Sequence, residues 1–475
     1  MEYETVVGLE VHAELNTKTK IYCNCRNAFG LEVNTQICPI CTGMPGTLPT
    51  LNEKVVEYAV KMGHATNCSI NNVCKQDRKN YFYPDLPKAY QISQADIPLC
   101  EHGYVDIMLN GEEKRIGINR IHIEEDAGKM LHDEAFKGSL VDFNRCGVPL
   151  IEIVSEPDMR SSEEAKAYLD TLKSILQYLD ISDCKMEQGS IRCDVNVSVR
   201  PKGSAEFGKR VEMKNVNSFS GAMRAIDYEA NRQIEALERG EEIFQETRRW
   251  DDQKGQNFLL RSKEDAQDYK YFPEPDLPPI EISEETIEKI RSAMPELPEQ
   301  KKRRYIDELG LPEYDTSILT SDKAYVSLFE ETLALCGSPK DVANWIMGEV
   351  MKLLNDTTTL PENMQLSPKD LAAVIHMVKS GKINRGTGKT VLEKVFTEGV
   401  DPEKYVADNN LAQITDLSAL RPVIEEVIAA NEKSVTEYKS GKTQAIGYLM
   451  GQAMRALKGK APAQEVQKLL HEILD

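Results

Sequence analysis

The fold of the first half of this chain is decided by one run, Ile191-Arg192-Cys193-Asp194-Val195-Asn196-Val197-Ser198-Val199-Arg200. Apolar side chains occupy every odd position of the run, and polar or charged side chains occupy every even position. Successive side chains of a β-strand point to opposite faces of the sheet. The run therefore predicts a strand with one buried face and one face that displays arginine, aspartate and asparagine.

Four other stretches of the first half repeat this alternation, at residues 7–12, 121–124, 150–153 and 211–214. Together with the first run they display candidate site residues, namely Glu10, His12, Glu124, Glu152, Asp194, Glu212 and Lys214. Two carboxylates about 4 Å apart repel each other by about 4 kcal/mol at an effective dielectric of 20. Mg²⁺ takes oxygen ligands and bridges to nucleotide phosphates. A solvated outer sheet face is the alternative, but the recurrence over five segments favours an acidic site that binds a cation.

Basic residues near these acids indicate how an anion would be held at the same place. Arg192, Lys214, Arg248 and Arg249 can donate charge-assisted hydrogen bonds to phosphate oxygens. The predicted site therefore combines a metal-binding face with phosphate-binding cations.

The order of patterns along the chain predicts an α+β domain with a largely antiparallel sheet, followed by all-α domains. Strand-like runs outnumber helices over residues 1–270 and lack regular βαβ spacing. Six prolines between Pro273 and Pro298 mark a boundary, and the pattern beyond them is helical, with a second break near residues 408–410. The predicted domains are 1–292, 293–407 and 408–475.

Apolar spacing predicts two helices in the first domain, at residues 161–179 and 223–237, the second of which ends before Gly240. Residues 383–390 imitate a phosphate-binding P-loop, but Ile383 stands where that motif needs glycine, and a helical run precedes it. We therefore predict a helix–turn–helix connection there.

Composition limits the protein class. The chain has 475 residues, 58 basic and 77 acidic, and its net charge of −19 argues against indiscriminate coating of nucleic acid. No run of about 18 apolar residues is present, so we expect no transmembrane helix and no membrane association. The cysteine count of 11 is odd and the first residues resemble no export signal. These features predict reduced thiols and a cytoplasmic location.

Four cysteines form two close pairs, Cys23 with Cys25 and Cys38 with Cys41. Two such pairs joined by a short loop can supply four thiolates to one tetrahedral zinc ion. Since all four positions are cysteine, the predicted Zn²⁺ is structural rather than catalytic. Free thiols or a redox-active CxxC pair are the alternatives.

A basic stretch lies near the end of this acidic chain. Between Tyr438 and Gln464 no acid occurs, and the basic residues are Lys439, Lys442, Arg455, Lys458 and Lys460. The stretch is the best candidate for contact with nucleic-acid phosphate, with a solvated helix face as the alternative. Aromatic side chains are scarce there, which favours recognition of shape and backbone over bases.

Several longer motifs resemble the B subunits of the bacterial aspartyl/glutamyl-tRNA amidotransferases over essentially the whole chain. The motifs lie at residues 7–12 (VGLEVH), 77–85 (DRKNYFYPD), 123–128 (IEEDAG), 149–158 (PLIEIVSEPD), 245–249 (QETRR), 271–276 (YFPEPD) and 451–455 (GQAMR). The archaeal E subunits of related enzymes carry an inserted synthetase-like domain, and the length of this chain fits the B subunits better.

The resemblance implies a cradle domain similar to glutamine synthetase and the guanido kinases, then a helical domain and a small helical tail that meets tRNA. It implies that ATP and Mg²⁺ phosphorylate the side-chain carboxylate of Glu or Asp misattached to tRNA(Gln) or tRNA(Asn). Ammonia from the amidase, which is the A component of the heterotrimer, then displaces phosphate, and the small C component is the third partner. Only some members carry the zinc site. A non-catalytic tRNA-docking scaffold is the rival hypothesis.

Carried over residue by residue, the resemblance implies that the magnesium ligands are His12 and Glu125, with Glu10 and Glu124 close by. Strict alternation instead selects Glu124 with His122. The assignment of Glu125 therefore assumes that the strand ends at Glu124 and that the turn before Gly128 redirects the next side chain. Further expected site residues are Glu152, Glu187, Asp194 and Glu212.

Overall fold

The computed structural model of the chain describes residues 2–131, 138–262, 268–413, 417–442, 444–457 and 461–474. The chain divides into two units, Met1–Pro298 and Glu299–Asp475. The first combines sheets with helices and the second is helical, so the predicted order of an α+β region and an all-α region is confirmed. The division into three domains remains a prediction.

The first unit contains strands distributed along its whole length, with helices between some of them. They are β1 (Tyr3–Glu14), β2 (Ser69–Ile70), β3 (Val73–Cys74), β4 (Asp77–Asn80), β5 (Tyr90–Ser93), β6 (Cys100–Leu109), β7 (Glu112–Glu125), β8 (Lys129–Leu131), β9 (Leu140–Asp142), β10 (Pro149–Ser155), β11 (Ile191–Pro201), β12 (Val211–Val216), β13 (Glu246–Asp251), β14 (Gln256–Ser262), β15 (Phe272–Pro273) and β16 (Ile280–Glu281). The helices of this unit are α1 (Glu53–Ala65), α2 (Ser162–Tyr178), α3 (Phe219–Glu238) and α4 (Glu284–Ser292).

One nine-stranded sheet organises this unit, in the order β14-β13-β12-β11-β1-β10-β7-β6-β2. All of its neighbouring pairs are antiparallel except β12 with β13, which is parallel. A largely antiparallel sheet is therefore confirmed. A separate small sheet has the order β15-β4-β5.

The side chains of β11 alternate between a buried and a polar face, as predicted. Its odd positions Ile191, Cys193, Val195, Val197 and Val199 are buried in the main hydrophobic cluster. Helix α3 packs on β11, α2 on β6 and α1 on β7, and these helices cover the apolar face. The opposite parity remains on the other face of the sheet, where the candidate site forms.

Capping residues explain where the two predicted helices begin. The backbone N–H of Glu164 donates to the side chain of Ser161 at 3.2 Å, so α2 begins at Ser162 as the pattern indicated. Helix α3 begins four residues before the predicted start because Ser218 accepts from the N–H of Gly221 at 2.9 Å.

The second unit consists of helices. They are α5 (Pro298–Asp307), α6 (Glu313–Leu319), α7 (Lys323–Cys336), α8 (Pro339–Trp345), α9 (Met351–Asp356), α10 (Pro368–Lys379), α11 (Arg385–Glu398), α12 (Pro402–Asp408), α13 (Leu417–Ala430), α14 (Glu432–Lys439), α15 (Ala445–Ala456) and α16 (Ala463–Leu474). They bury two hydrophobic clusters, one between Tyr305 and Val406 and one between Leu420 and Leu474. Within the part of the chain that is described, no helix is long and apolar enough to cross a membrane.

The P-loop-like residues lie at a helix–turn–helix connection, as predicted. Asn384 caps α11 by accepting from the N–H of Thr387 at 2.8 Å, and the glycines that follow lie in the first turns of that helix. A Cβ at Gly388 would meet Val378 at 2.6 Å and Trp345 at 3.0 Å. This glycine therefore serves close helix packing.

Candidate functional site

The central strands of the large sheet bring the polar positions together in transverse rows. One row runs across four strands and consists of His122 on β7, Glu152 on β10, His12 on β1 and Arg192 on β11. Further along the same strands, Glu10 lies opposite Asp194, and Asn196 lies opposite Glu212 on β12. Antiparallel register thus converts the separate alternating segments into one polar surface.

Two histidines and two glutamates form the first group of this surface. His12 Nε2 lies 3.3 Å from Glu152 Oε2 and 3.7 Å from Glu124 Oε1. His122 Nε2 lies 3.5 Å from Glu152 Oε2 and 3.7 Å from Glu124 Oε2. Ligand atoms of His12, Glu124 and Glu152 all fall within 4.8 Å of one another, a separation that one metal ion can span.

The electrostatics of this first group favour ionised carboxylates. Burial opposes the charge on Glu124, but hydrogen bonding to His122 and the charge of Lys79 lower the pKa of its carboxyl. Burial likewise opposes the charge on Glu152, yet His122 and His12 hold its pKa well below the usual range. The pKa of His12 is raised, because Glu152 and Glu124 outweigh burial. The two acids therefore attract cations at neutral pH.

Lys79 is a residue of this site that the sequence reasoning missed. Burial disfavours its charge, but Glu124, Tyr271 and Glu152 outweigh burial and raise its pKa. Lys79 lies on β4, in the small sheet, so alternation within the five segments gave no signal for it. Its place in the motif at residues 77–85 was the available signal.

A second acidic group lies on β1, β11 and β12. Carboxylate oxygens of Glu10, Asp194 and Glu212 fall within 4.8 Å of one another. Lys214 Nζ lies 2.6 Å from Asp194 and 2.9 Å from Glu212. Burial and the neighbouring Glu152 and Glu212 raise the pKa of the Glu10 carboxyl. The second group therefore contains three carboxylates and one ammonium group, that of Lys214, which can also contact an anionic ligand.

Glu125 lies elsewhere than the sequence interpretation assumed. Strand β7 continues through Glu125, so the assumption that it ends at Glu124 is wrong. The carboxylate of Glu125 is bound by Lys88 and by the N–H of Ile92 at 3.0 Å. It lines a cavity of about 210 Å³ together with Tyr22 and other residues of the cysteine region. Alternation keeps its side chain away from that of Glu124, and its role as a magnesium ligand stays a prediction.

The remaining predicted site residues are three arginines and Glu187, and the arginines lie on strands of the large sheet. Arg192 donates to Asp126 at 2.5 Å. Arg248 pairs with Glu246 at 2.6 Å, whereas Arg249 is the strand partner of Lys214. Glu187 lies in the short turn Met186–Gln188 and belongs to neither acidic group among the described residues.

The four cysteines come together as their spacing predicted. The Sγ atoms of Cys23, Cys25, Cys38 and Cys41 all lie within 4.8 Å of one another. Tetrahedral zinc with bonds of about 2.3 Å needs sulfurs about 3.8 Å apart, so this donor set fits Zn²⁺. All the cysteines are free, and a hydrogen bond from Cys23 lowers the pKa of the Cys41 thiol to about 5.

A buried lysine contacts this cysteine group. Lys20 is fully buried, and its Nζ lies 3.7 Å from Cys41 Sγ and 2.8 Å from the carbonyl oxygen of Gln36. The backbone N–H of Cys38 also donates to Cys41 Sγ at 3.1 Å. The ammonium group of Lys20 and the backbone N–H of Cys38 therefore both contact Cys41 Sγ.

The tail contains three of the predicted basic residues within its described part. They are Lys439 at the end of α14, Lys442 in the following turn and Arg455 on α15. All three are exposed. Lys458 and Lys460 lie outside the described residues.

Comparisons with known proteins assign the chain to one family. Residues 5–288 match the GatB/GatE catalytic domain and residues 327–474 match the GatB domain. The B subunit of the aspartyl/glutamyl-tRNA(Asn/Gln) amidotransferase of Caldicellulosiruptor bescii is 59% identical over 478 residues, covering 100% of both chains. The proteins of the same name from Thermoanaerobacter pseudethanolicus and Lachnoclostridium phytofermentans are 55% and 54% identical and cover at least 99% of both chains.

Proposed function

The chain belongs to the family of aspartyl/glutamyl-tRNA(Asn/Gln) amidotransferase B subunits, and from that membership we propose its reaction. It is a carbon–nitrogen ligase that acts on Glu-tRNA(Gln), Asp-tRNA(Asn) or both. The side-chain carboxylate is phosphorylated at the expense of ATP, and ammonia then displaces phosphate to give the amide. The amidase of the heterotrimer supplies the ammonia, the small C component completes the assembly, and the reaction belongs to cytoplasmic translation.

The observation that carries this proposal is the polar surface with its two acidic groups. Glu124 and Glu152, with His12, would hold one Mg²⁺, and Glu10, Asp194 and Glu212 are arranged to hold another. Bound Mg²⁺ would supply neutralisation of phosphate charge. Phosphoryl transfer depends chiefly on positioning and on charge neutralisation, and it needs no covalent enzyme nucleophile.

The residues of the chain have distinct tasks in this scheme. Lys214 forms ion pairs with Asp194 and Glu212. The negative charges of Glu124 and Glu152 raise the pKa of Lys79. Both lysines are thereby kept charged at the acidic groups, where they can bind phosphate oxygens. His122 is buried against Glu124 and Glu152, and its contacts with both carboxylates fix their orientation.

Two further parts of the chain support the reaction from outside this surface. We infer that the four cysteines hold a structural Zn²⁺, because the donor set is complete and closed. We infer that the exposed basic residues of the tail contact the phosphates of tRNA. The likeness of the first unit to glutamine synthetase and the guanido kinases, which also activate substrates with ATP, belongs to the same proposal.

The test uses the reconstituted heterotrimer and the variant Glu124→Gln, with Glu125→Gln and Glu187→Gln prepared alongside. Glu124→Gln should lower tRNA-dependent ATP turnover and amide formation about 100-fold, since it removes one charged ligand of the first group. Glutamine hydrolysis by the amidase and assembly of the heterotrimer should persist. Glu187→Gln is the matched control, because Glu187 lies outside both acidic groups.

The result also separates the rival hypotheses. Normal amidation by the heterotrimer with Glu124→Gln would contradict a catalytic role for this group and favour a non-catalytic docking scaffold. If Glu125→Gln instead abolishes ATP turnover while Glu124→Gln does not, the magnesium ligand implied by the resemblance is the correct one.

A further inference from the structure

Two of the sequence motifs, at residues 77–85 and 271–276, meet in the small sheet. Strand β4 lies in the centre, with Arg78 opposite Phe272 of β15 on one side and Lys79 opposite Gln91 of β5 on the other. The segment before β15 is fixed to β4, because the N–H of Asn80 donates to the carbonyl oxygen of Tyr269 at 2.9 Å. Parts of the chain about 190 residues apart are thereby held side by side.

A chain of aromatic rings forms at this junction. The ring centroids of Tyr81 and Tyr269 are 5.8 Å apart, and those of Tyr269 and Tyr271 are 6.0 Å apart, both in edge-to-face geometry. Lys79 Nζ lies 5.1 Å from the centre of the Tyr269 ring. We call Tyr81, Tyr269 and Tyr271 the tyrosine cluster.

The small sheet connects the tyrosine cluster to the first acidic group. On β5, Ser93 Oγ donates to Glu124 Oε2 at 3.1 Å, and Gln91 Nε2 donates to the backbone oxygen of Glu125 at 2.6 Å. The hydroxyl of Tyr81 donates to Oε1 of the same Gln91 at 3.5 Å, which links the cluster through one side chain to the end of β7 that carries Glu124. The cluster is therefore next to the carboxylates proposed to bind Mg²⁺.

The outer end of the cluster is open to solvent. Tyr271 is 45% exposed and is followed by Phe272 at 44%, while Phe82 and Tyr83 are 80% and 52% exposed. Large exposed apolar patches on soluble proteins mark binding sites, and both motifs place exposed aromatic side chains beside the cluster. Aromatic rings with a neighbouring lysine are the combination that stacks on bases and attracts the phosphates of single-stranded nucleic acid.

We propose that the tyrosine cluster, with Tyr271 as its open face, is the stacking site for the 3′-terminal base of the aminoacyl-tRNA. This inference rests on the proposed function, which brings a tRNA-borne carboxylate to the first acidic group. Five covalent bonds separate the side-chain carboxyl carbon of glutamate from the ester oxygen, about 6 Å in extended form. The terminal nucleoside must consequently lie beside the acidic group, which is where the cluster is.

Stacking there is a positioning role. A base fixed on Tyr271 limits the orientations of the attached amino acid and brings its carboxylate toward Glu124 and Glu152. Tyrosine provides a large ring with few rotatable bonds, so little conformational entropy is lost on binding. The adenine of ATP is the rival occupant, and the experiment below separates the two.

The experiment measures inhibition of the assembled heterotrimer by uncharged tRNA that either has or lacks its 3′-terminal adenosine. Loss of one stacked base weakens binding about fivefold to 150-fold. Wild type should prefer the intact tRNA by a factor in that range. Tyr271→Leu should abolish the preference and raise the KM for aminoacyl-tRNA, with the KM for ATP unchanged. Tyr271→Phe should restore the wild-type preference, because it keeps the ring.

Phe207→Leu is the matched control. Phe207 is 59% exposed and lies 5.1 Å from the guanidinium of Arg200, which is six positions along β11 from Asp194, or about 20 Å. This variant should keep the preference for intact tRNA.

Three results would overturn the inference: no preference in wild type, an unchanged preference in Tyr271→Leu, or a rise in the KM for ATP alone. The last would identify the adenine of ATP as the occupant. Failure of the wild-type heterotrimer to amidate tRNA at all would instead refute the proposed function. A melting temperature equal to that of wild type verifies that Tyr271→Leu is folded.

Discussion

Lys20 allows a direct test of the cysteine group, through the substitution Lys20→Met. The lysine is fully buried and contacts two acceptors, Cys41 Sγ and the carbonyl oxygen of Gln36. Four thiolates around one Zn²⁺ leave two uncompensated negative charges. A buried cation beside one of the sulfurs offsets part of that charge, so its removal should weaken zinc binding.

The magnitude follows from the 3.7 Å separation between Lys20 Nζ and Cys41 Sγ. At an effective dielectric of 20, unit charges at this distance attract each other by about 4 to 5 kcal/mol. The cost of burying the ammonium offsets part of this gain, and hydrogen bonds to charged groups contribute about 1.5–3 kcal/mol net. Zinc affinity should therefore fall about 10- to 100-fold in Lys20→Met, the range typical of groups that contact metal ligands.

The assay is competition for zinc between the protein and a chromophoric chelator, monitored at about pH 7.5, where the ligand thiols must lose their protons for zinc to bind. Methionine keeps an unbranched side chain of similar volume, so packing changes little. Lys18→Met is the matched control, because Lys18 is exposed two residues away and should leave zinc affinity unchanged.

Equal zinc affinity of Lys20→Met and wild type, with both proteins folded, would refute the electrostatic argument. Zinc content near zero in wild type, with all four thiols of the group freely titratable, would refute the zinc site itself.

Two other predictions concern the polar surface and the tail. Glu14 is the last residue of β1 and shares the parity of Glu10 and His12. Burial and the neighbouring Asp126 raise the pKa of its carboxyl to about 8, above the ordinary value of 4.5, so its contribution to stability is present below pH 4.5 and is lost as the pH rises through 8. In metal-free buffer at about pH 8.5, Glu14→Gln should raise the free energy of unfolding, measured by urea denaturation, by at most about 5 kcal/mol. It should give no gain at about pH 4.5, and equal gains at both pH values would contradict the argument. In the tail, the triple change of Lys439, Lys442 and Arg455 to Gln should weaken tRNA binding and reduce the slope of log affinity against log salt by about 2, whereas an unchanged slope would exclude phosphate contact.

The large sheet and its polar face were predictable because they follow from local stereochemistry. Alternation in β11 assigned each side chain to a face before any partner strand was known, and the odd positions from Ile191 to Val199 are buried as predicted. The same rule selected Glu124 with His122, and these two side chains do lie together. The exception made for Glu125 assumed a strand end that the structure does not have.

Lys79 and the tyrosine cluster were not predictable from alternation. Their positions depend on the pairing of β4 with β15, in which Arg78 lies opposite Phe272. Short strands of two to four residues carry almost no periodic signal. Contacts between segments this far apart are set by tertiary packing, so only the quoted motifs pointed to these residues.

The charge balance of the polar surface explains why cations, rather than protons, should complete it. Glu10, Glu124, Glu152, Asp194 and Glu212 form the two acidic groups, and Lys79 and Lys214 offset two of those five negative charges when the histidines are neutral. Protonation of Glu124 and Glu152 does not relieve the excess negative charge at neutral pH, because their histidine neighbours keep the pKa of both carboxyls low. Divalent ions bound by these acids would neutralise the remainder, and they would displace the proton that Glu152 and Glu124 otherwise favour on His12. Phosphate could then approach a surface whose own charge would repel it, so under the proposed function we expect ATP to bind this sheet only together with divalent cations.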